Sequence, residues 1–574
     1  GRGGTCAENG GIAGLSYRNQ ATWNADWIGA HTWNAAATYV SRANSIKIGY
    51  QGAYHEDNRA PDGGTNDLTY RFNAGIPNQL TQRLEPYRTY SRVRYNALFV
   101  QDQLTRGRLT MSGALRYDHS WSYYPEQSIG GFGVRFLPTQ YTWAESKGVI
   151  GYNDITPRMG VAYDVFGTGK TAIKFNAGKY LEAAVNGNGN YSALLPSSRI
   201  DLTQSRAWTD SNGNYTPDCD LMSGAAQNLS ASGGDICGAW GNPNFGKAVD
   251  ANGNPIYSLG YAEKILKGWG TRPSDWQIGV TLQQEILPRV SLEVGYSRRW
   301  LQNFTVTDNQ ALSPSDFDQF HLVAPSDPRL PGGGGYTVSG LYNVKPDKFS
   351  VAPNNLRTYA PDYGTISQVY NGVDININAR MRNGLQLQAG TTTGQRVTDY
   401  CDVRGQLPEQ TGGFSTASEV PAYNPVNPFC HYEPGITTRF TSAGSYIIPK
   451  VDVQVAATLQ SSPAEPLQAN WTVSSAIVAQ TLGRPLSGGA ANITVNLLAP
   501  DQMRGDRVNQ FDLRVGKVLR FGSQRATLSL DIFNALNADT ILTYNQSFTP
   551  GGAWLVPNTV LTARTTKITV QYDF

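Results

Sequence analysis

Short polar turns and long connections alternate strictly along this chain, and that rhythm constrains its fold more than any single motif. "NAAATYV" and "SIKIGYQGAY" meet about "SRAN", "YNALFVQDQL" and "RLTMSGALRYD" about "TRG", and "RMGVAYDVF" and "KTAIKFNAGKY" about "GTG". Farther along, "DWQIGVTLQQEI" and "RVSLEVGY" meet about "LP", "NGVDININARM" turns at "RNG" into "LQLQAG", and "QFDLRVGKVLR" turns at "FGSQ" into "RATLSLDIFN". Each run alternates apolar and polar residues, so one face of each strand is apolar and the other wet. An Asn-Gly pair between alternating runs is a strong hairpin signal. The connections on the opposite side, roughly 125–155, 185–272, 307–363, 401–434, 475–506 and 541–560, are far too long for hairpin turns.

A soluble sandwich has no reason to keep every long loop at one end. An antiparallel transmembrane β-barrel does, with tight periplasmic turns and extended extracellular loops. The mean hydropathy of −0.38 agrees, because barrel strands are half polar, and no apolar run approaches the roughly 18 residues of a membrane helix. Counting back from a periplasmic C-terminus keeps every short turn on one side. The stretch 67–87 breaks that parity unless it is a hairpin rising from an extracellular loop. About 15 crossings result, an odd number, whereas single-chain bacterial barrels have even counts. The expectation is therefore a C-terminal barrel portion over residues 1–574, with the first strands upstream. Trp276, Trp300 and Tyr180 are expected in the extracellular girdle, and Phe166, Phe521 and Phe574 in the periplasmic one. Asp374, Asn376, Asn378 and Arg380, with Thr110, Ser112, Arg116 and Asp118, are expected to face the lumen. The chain closes on "KITVQYDF", where Ile568, Val570, Tyr572 and Phe574 share one face. That pattern resembles the signal by which barrels are recognised by the barrel assembly machinery.

Charged residues are only 16% of the chain and the net charge is +3, which argues against a nucleic-acid partner. Five cysteines include Cys219 with Cys237 and Cys401 with Cys430, each pair flanking a polar, Gly-rich stretch. Nearest-neighbour pairing staples two loops and requires an oxidising compartment. Cys6 is left over, and the start "GRGGTCAENG" has neither an initiator Met nor a signal sequence, so it is read as a processed or internal beginning. The five histidines form no HExxH pair, and GxSxG and phosphate-loop motifs are missing, so no enzyme is expected and no cofactor is required. One cluster points to a structural Ca²⁺. "DSNGNYTPDCD" sets Asp210, Asn212, Asn214 and Asp218 at calcium-loop spacing around Gly213, although the glycine comes early and the closing Glu is missing. A plain Asn-Gly turn is the competing reading.

"RVNQFDLRVGKVLRFG", "LDIFNALNADTILTYN" and "ITVQYDF" resemble TonB-dependent outer-membrane transporters. "PDCDL", "DPRLPGGGGYTVSGLYNV" and "VYNGVDININARMRNGLQLQAG" resemble the Oar-like subgroup, which carries a carboxypeptidase-regulatory-like domain before the plug. The resemblance implies a plug inside a barrel of about 22 strands. It also implies a Gram-negative outer membrane with its lipid and lipopolysaccharide, and an extracellular ligand. Contact with the TonB complex would come through an N-terminal region not seen here. The function implied is gated, TonB-energised import of a bulky nutrient such as a peptide, glycan or metal chelate. The alternative is a barrel whose long loops serve adhesion or surface assembly, without transport.

Overall fold

A strand that crosses lipid must pair all of its backbone N–H and C=O groups with neighbouring strands. In the computed structural model fifteen long strands do this in simple sequence. They are β1 (Trp27–Val40), β2 (Asn44–Arg59), β3 (Thr89–Arg106), β4 (Leu109–Tyr124), β5 (Ser146–Asp164), β6 (Thr171–Leu181), β7 (Ser274–Leu287) and β8 (Val290–Gln302). They continue as β9 (Ser367–Arg380), β10 (Gln386–Asp399), β11 (Thr437–Ile448), β12 (Val453–Ser462), β13 (Val508–Phe521), β14 (Gln524–Phe533) and β15 (Thr565–Asp573). The structure describes residues 4–7, 16–19, 25–60, 67–73, 75–184, 195, 199–248, 259–409, 426–522 and 524–573. Each strand pairs antiparallel with the next to form one barrel sheet. Two short pieces, Lys267–Trp269 and His431–Tyr432, join its extracellular rim. Among the described residues no register pair joins β1 to β15, and both are exposed along nearly their whole length.

The expected asymmetry holds. The turns at 41–43, 107–108, 165–170, 288–289, 381–385, 449–452 and 522–523 are short, and the connections 60–88, 125–145, 182–273, 303–366, 400–436, 463–507 and 534–564 are long. Turn geometry explains the residues found there: Gly107 has φ 58° and Gly522 has φ 62°, values a glycine adopts without strain. The hairpin expected at 67–87 is Leu68–Asn73 with Ile76–Arg83, outside the wall as parity requires.

Two boundaries differ from the sequence reading: the start of β5, and the connection after β12, which begins at 463 where 475 was expected. β5 begins at Ser146, well before the expected end of its loop, because its upper half is packed on both faces. Val149, Ile150 and Tyr152 are buried there, with Ile265 and Leu266 of a neighbouring loop in the same cluster. Covering both faces erases the polar half of the alternation. β11 is weakly patterned for another reason, since its outward positions include Thr438, Ser442 and Gly444.

Apolar side chains on the outer face stay exposed to the surroundings. Leu98 and Val100 on β3, Val280 and Leu282 on β7, and Leu528 and Leu530 on β14 form parts of this band. The four buried apolar clusters lie instead almost wholly in the long loops. The largest joins Leu341 to Val473, Val495 and Trp554, from three different connections. The second packs Leu80, Phe136, Trp208 and Phe245 beneath a five-stranded loop sheet. Leu528 lies a few residues above the periplasmic turn, near the midplane of a band about 25 Å tall. Leu528→Arg is expected to cost about 2–4 kcal/mol, read from urea titration of the protein in lipid vesicles. Gln571→Arg, on the lumen face, is expected to titrate close to wild type.

The lumen wall and the loop sites

Alternation along each strand carries the polar set inward all round the wall. Register pairs align Thr110 with Ala162, Arg116 with Thr156 and Asp118 with Asp154, and farther round align Asp374 with Thr392 and Asn376 with Glu293. Both ladders expected from the sequence therefore share the inner face. Several of the charges on this face are paired, which offsets their desolvation. Arg116 bonds Asp118 at 3.0 Å and Gln51 at 3.0 Å, and Arg299 bonds Asp275 at 2.7 Å. Arg514 pairs with Asp531, which also accepts a bond from Thr569 at 3.0 Å. Arg272, carried by the connection between β6 and β7, reaches Asp154 at 3.0 Å with both side chains buried. That ion pair ties the longest loop to the wall.

One stretch of the inner face has the shape of a ligand-sized recess. A cavity of about 640 Å³ lies against β5 to β10, bordered by Arg158, Tyr180, Arg299, Tyr370, Asp374 and Arg396. Gly178, Gly279 and Gly295 line its floor, and beside it on β9 and β10 Gly372 stands opposite Gly394 in register. A Cβ on Gly372 would come within 2.3 Å of the Tyr370 hydroxyl, and one on Gly394 within 2.6 Å of it, so the ring lies flat only because both are glycine. Tyr180 belongs here too, with the Arg158 guanidinium 4.6 Å from its ring centre. This corrects the girdle assignment for Tyr180: it shares strand parity with Asn176 and Gly178, whereas Lys179 faces out. Trp276 and Trp300 do face out, stacked at 6.3 Å. Phe166 and Phe521 are exposed at the periplasmic end.

Both expected disulfides are present, Cys219–Cys237 and Cys401–Cys430. The first is buried in the second apolar cluster and the second joins the rim of β10 to the far end of its loop. Cys6 lies opposite Tyr17 in backbone register. Of the terminal pattern, Ile568, Val570 and Tyr572 point outward with exposures of 73%, 69% and 50%, and Phe574 falls outside the described residues.

The structure brings the four calcium-loop residues together. Asp210 accepts from the backbone N–H groups of Gly213 at 2.8 Å, Asn214 at 3.2 Å and Tyr215 at 2.9 Å. Asp218 accepts from the side-chain amides of Asn212 at 2.6 Å and Asn214 at 3.3 Å. Beneath them lies a residue that no sequence motif marks, Asp235, a fully buried carboxylate that accepts from Trp208 Nε1 at 2.9 Å, Ser211 N at 3.0 Å and Asp218 N at 3.2 Å. It is distant in sequence and outside any spacing rule. A Ca²⁺ at this loop is a proposal: heat on calorimetric titration of Ca²⁺ that vanishes in Asp210→Ala would support it, and no heat would remove it.

At the rim, His431 Nδ1 lies 2.7 Å from Asp399 Oδ2, and Nε2 lies 3.5 Å from Glu433 Oε2. The Asp399 hydrogen bond raises the imidazole above its ordinary value, against the opposing effect of burial and with a smaller contribution from Glu433. A raised folded value means the contact stabilises the rim fully below the unfolded pKa of about 6.5 and is lost as pH rises through the folded one. An NMR titration of the His431 ring is expected to give a value above the ordinary one, moving back towards it in Asp399→Asn.

An apolar outer band, a polar inner wall and loops gathered on one side define an outer-membrane β-barrel of a Gram-negative bacterium. The chain belongs to the outer membrane beta barrel domain family, whose model matches residues 3–499. Among solved structures it is similar to the outer membrane transporter YddB from Escherichia coli, at 12% identity and TM-score 0.46, over 95% of this chain and 54% of that one. It is also similar to the ferric-catecholate import receptor Fiu from E. coli K12, at 12% identity and TM-score 0.44, over 97% and 56%. A third is the ferripyoverdine receptor of Pseudomonas aeruginosa, at 8% identity and TM-score 0.46, over 97% and 50%. The chain thus spans about half the length of these proteins. No curated protein sequence matches it.

Proposed function

We propose that this chain forms the wall and extracellular vestibule of a ligand-gated, TonB-energised importer of a bulky nutrient, a peptide, glycan or metal chelate. The observation that carries the reading is the polar, charge-paired lumen wall with its glycine-floored recess beneath a canopy of folded loops. A lumen so lined has to be filled by water or by polar protein. Among the described residues β1 and β15 are each paired on one side only, which supports a larger complete wall, since a bare strand edge is not tolerated in lipid. A plug and a TonB-contacting segment encoded upstream belong to the same proposal. The recess offers aromatic faces and alternating charges, which suit an extended polar ligand better than a small ion.

The test uses cells carrying the complete native gene, supplied with fluorescent oligopeptides, oligosaccharides and ferric chelates in turn. Accumulation of one class that stops on deletion of TonB, and weakens in Arg299→Ala, is the expected result. Uptake of none of them, or uptake indifferent to TonB, overturns the proposal. Loss of cell adhesion on excising 185–272, with no change in uptake, would instead establish the adhesive alternative.

A further inference from the structure

Positive charge is gathered at the periplasmic mouth of this barrel. Within three residues of the seven short turns, or at the end of β15, stand ten Lys and Arg but only four Asp and Glu. That is a net +6, against +3 for the whole chain, so the rest of the chain is net negative. Two of the ten are neutralised, Arg520 by Asp452 at 3.6 Å and Arg525 by Asp573 at 3.7 Å. The other eight are exposed and form no ion pair among the described residues.

Four consecutive turns carry the densest part. Arg106 and Arg108 flank Gly107 in the first, Lys170 ends the second, Arg289 ends the third, and Arg380 and Arg382 open the fourth. Two carboxylates stand among them, and both are spent on backbone. Asp164 accepts from Gly167 N at 3.0 Å and Gly169 N at 2.8 Å, and Glu285 accepts from Arg289 N at 3.1 Å. Lys170, Arg289 and Arg380 line a recess of about 740 Å³ together with Glu285, Ser291 and Asn378. It opens on the inner side, because Ser291 and Asn378 are register partners on the lumen face and Arg380 shares their parity. Its cations therefore face the mouth and not the headgroups around the wall. Strands about 4.8 Å apart and tilted near 40° recur about every 6 Å around the rim, so successive turns are about 13 Å apart. An extended chain covers that distance in about four residues. A small anion would meet one turn, whereas an extended polypeptide with a carboxylate at about every fourth residue meets all four.

We propose that these four turns dock an acidic, extended segment of a soluble periplasmic protein, laid along the mouth with one carboxylate to each turn. Complementary charge of this kind steers the encounter and fixes the register of the bound segment. The surface is separate from the N-terminal region through which TonB contact is expected, and it rests on the membrane placement of the barrel alone. Standing or falling of the import proposal leaves it untouched.

The test is fluorescence anisotropy of labelled peptides of about thirteen residues with the complete native protein in discs of zwitterionic lipid. One peptide carries Glu at every fourth position of a Gly/Ser chain, a second carries the same glutamates side by side, and a third carries Gln in their place. The spaced peptide is expected to bind about ten-fold more tightly than the glutamine peptide, and more tightly than the clustered one. Combining Arg108→Gln, Arg289→Gln and Arg382→Gln is expected to abolish that preference, and Arg135→Gln, in an extracellular loop, to keep it. The peptide comparison needs no variant, so it decides the matter even if the triple variant folds poorly. Equal binding of the spaced and glutamine peptides, or a folded triple variant that binds as wild type, overturns the proposal. Clustered glutamates binding as tightly as spaced ones also overturn it, because the mouth would then be an unpatterned anion site. Loss of spaced-peptide binding when phosphatidylglycerol is added to the disc overturns it too, by assigning the cations to lipid.

Discussion

Everything in this structure depends on the backbone ladder. In a bilayer there is no water to satisfy an unpaired amide, and each unpaired group costs several kcal/mol, on the order of 2–7. The wall meets that demand with almost no irregularity. Among the described residues its long-strand ladder shifts register at only two places, between Lys147 and Gly151 and between Glu285 and Leu287. Both lie near strand ends, one at the extracellular rim and one at the periplasmic turn, where water can reach the interrupted groups. With the register held so strictly, a side chain's face is decided by parity alone, and the apolar outside and polar inside follow.

A ladder of this kind leaves the hydrophobic effect with little to do inside the wall, because the outer apolar face meets lipid that is equally apolar. Burial of apolar surface from water takes place in the loops instead. There the chain builds small globular cores, and arginines brace them. Arg206 donates to the carbonyls of Gly238, Ser223 and Ala225 at 2.8 to 2.9 Å, satisfying backbone groups that no sheet reaches. Arg329 donates to the Gly552 and Trp554 carbonyls at 2.9 Å while paired with Asp327. Arg484 links Asp318 to Asn343 and Ser487 in the same manner. One charged side chain that satisfies three or four acceptors is an efficient brace for irregular chain, since each such bond contributes more than a neutral one. Disulfides close two of the same loops.

The inner wall and the periplasmic mouth use one chemistry towards opposite ends. Inside, arginines such as Arg299 are matched to carboxylates across neighbouring strands, here to Asp275. At the turns, Arg108, Arg289 and Arg382 pair with no carboxylate among the described residues, so their charge is directed at the periplasm. The difference is one of position: a strand residue has register partners beside it, and a turn tip has none.

Much of the barrel was legible because its signals are local. Period-two alternation, the turns at "RNG" and "TRG" and the one-sided loop lengths depend on residues close in sequence, and they placed the wall, its lumen ladders and the extra hairpin at 67–87. The disulfide pairs were legible for the same reason. Tyr180 was misplaced because aromatic identity was weighed there in place of parity, and β11 was faint because Ser, Thr and Gly occupy outward positions. What only the tertiary structure decided lies at long separation. Gln82 donates to the Leu221 carbonyl across 139 residues, Arg329 reaches Gly552 across 223, and Asp235 lies beneath the Asp210 loop. No spacing rule reaches that far, because loop packing is selected by shape and by buried polar satisfaction, which exist only once distant segments have met. The sequence alone determined a membrane barrel with one-sided loops, and the folded chain alone determined the glycine-floored recess and the basic recess at the periplasmic mouth, since both need side chains from adjacent strands brought into register.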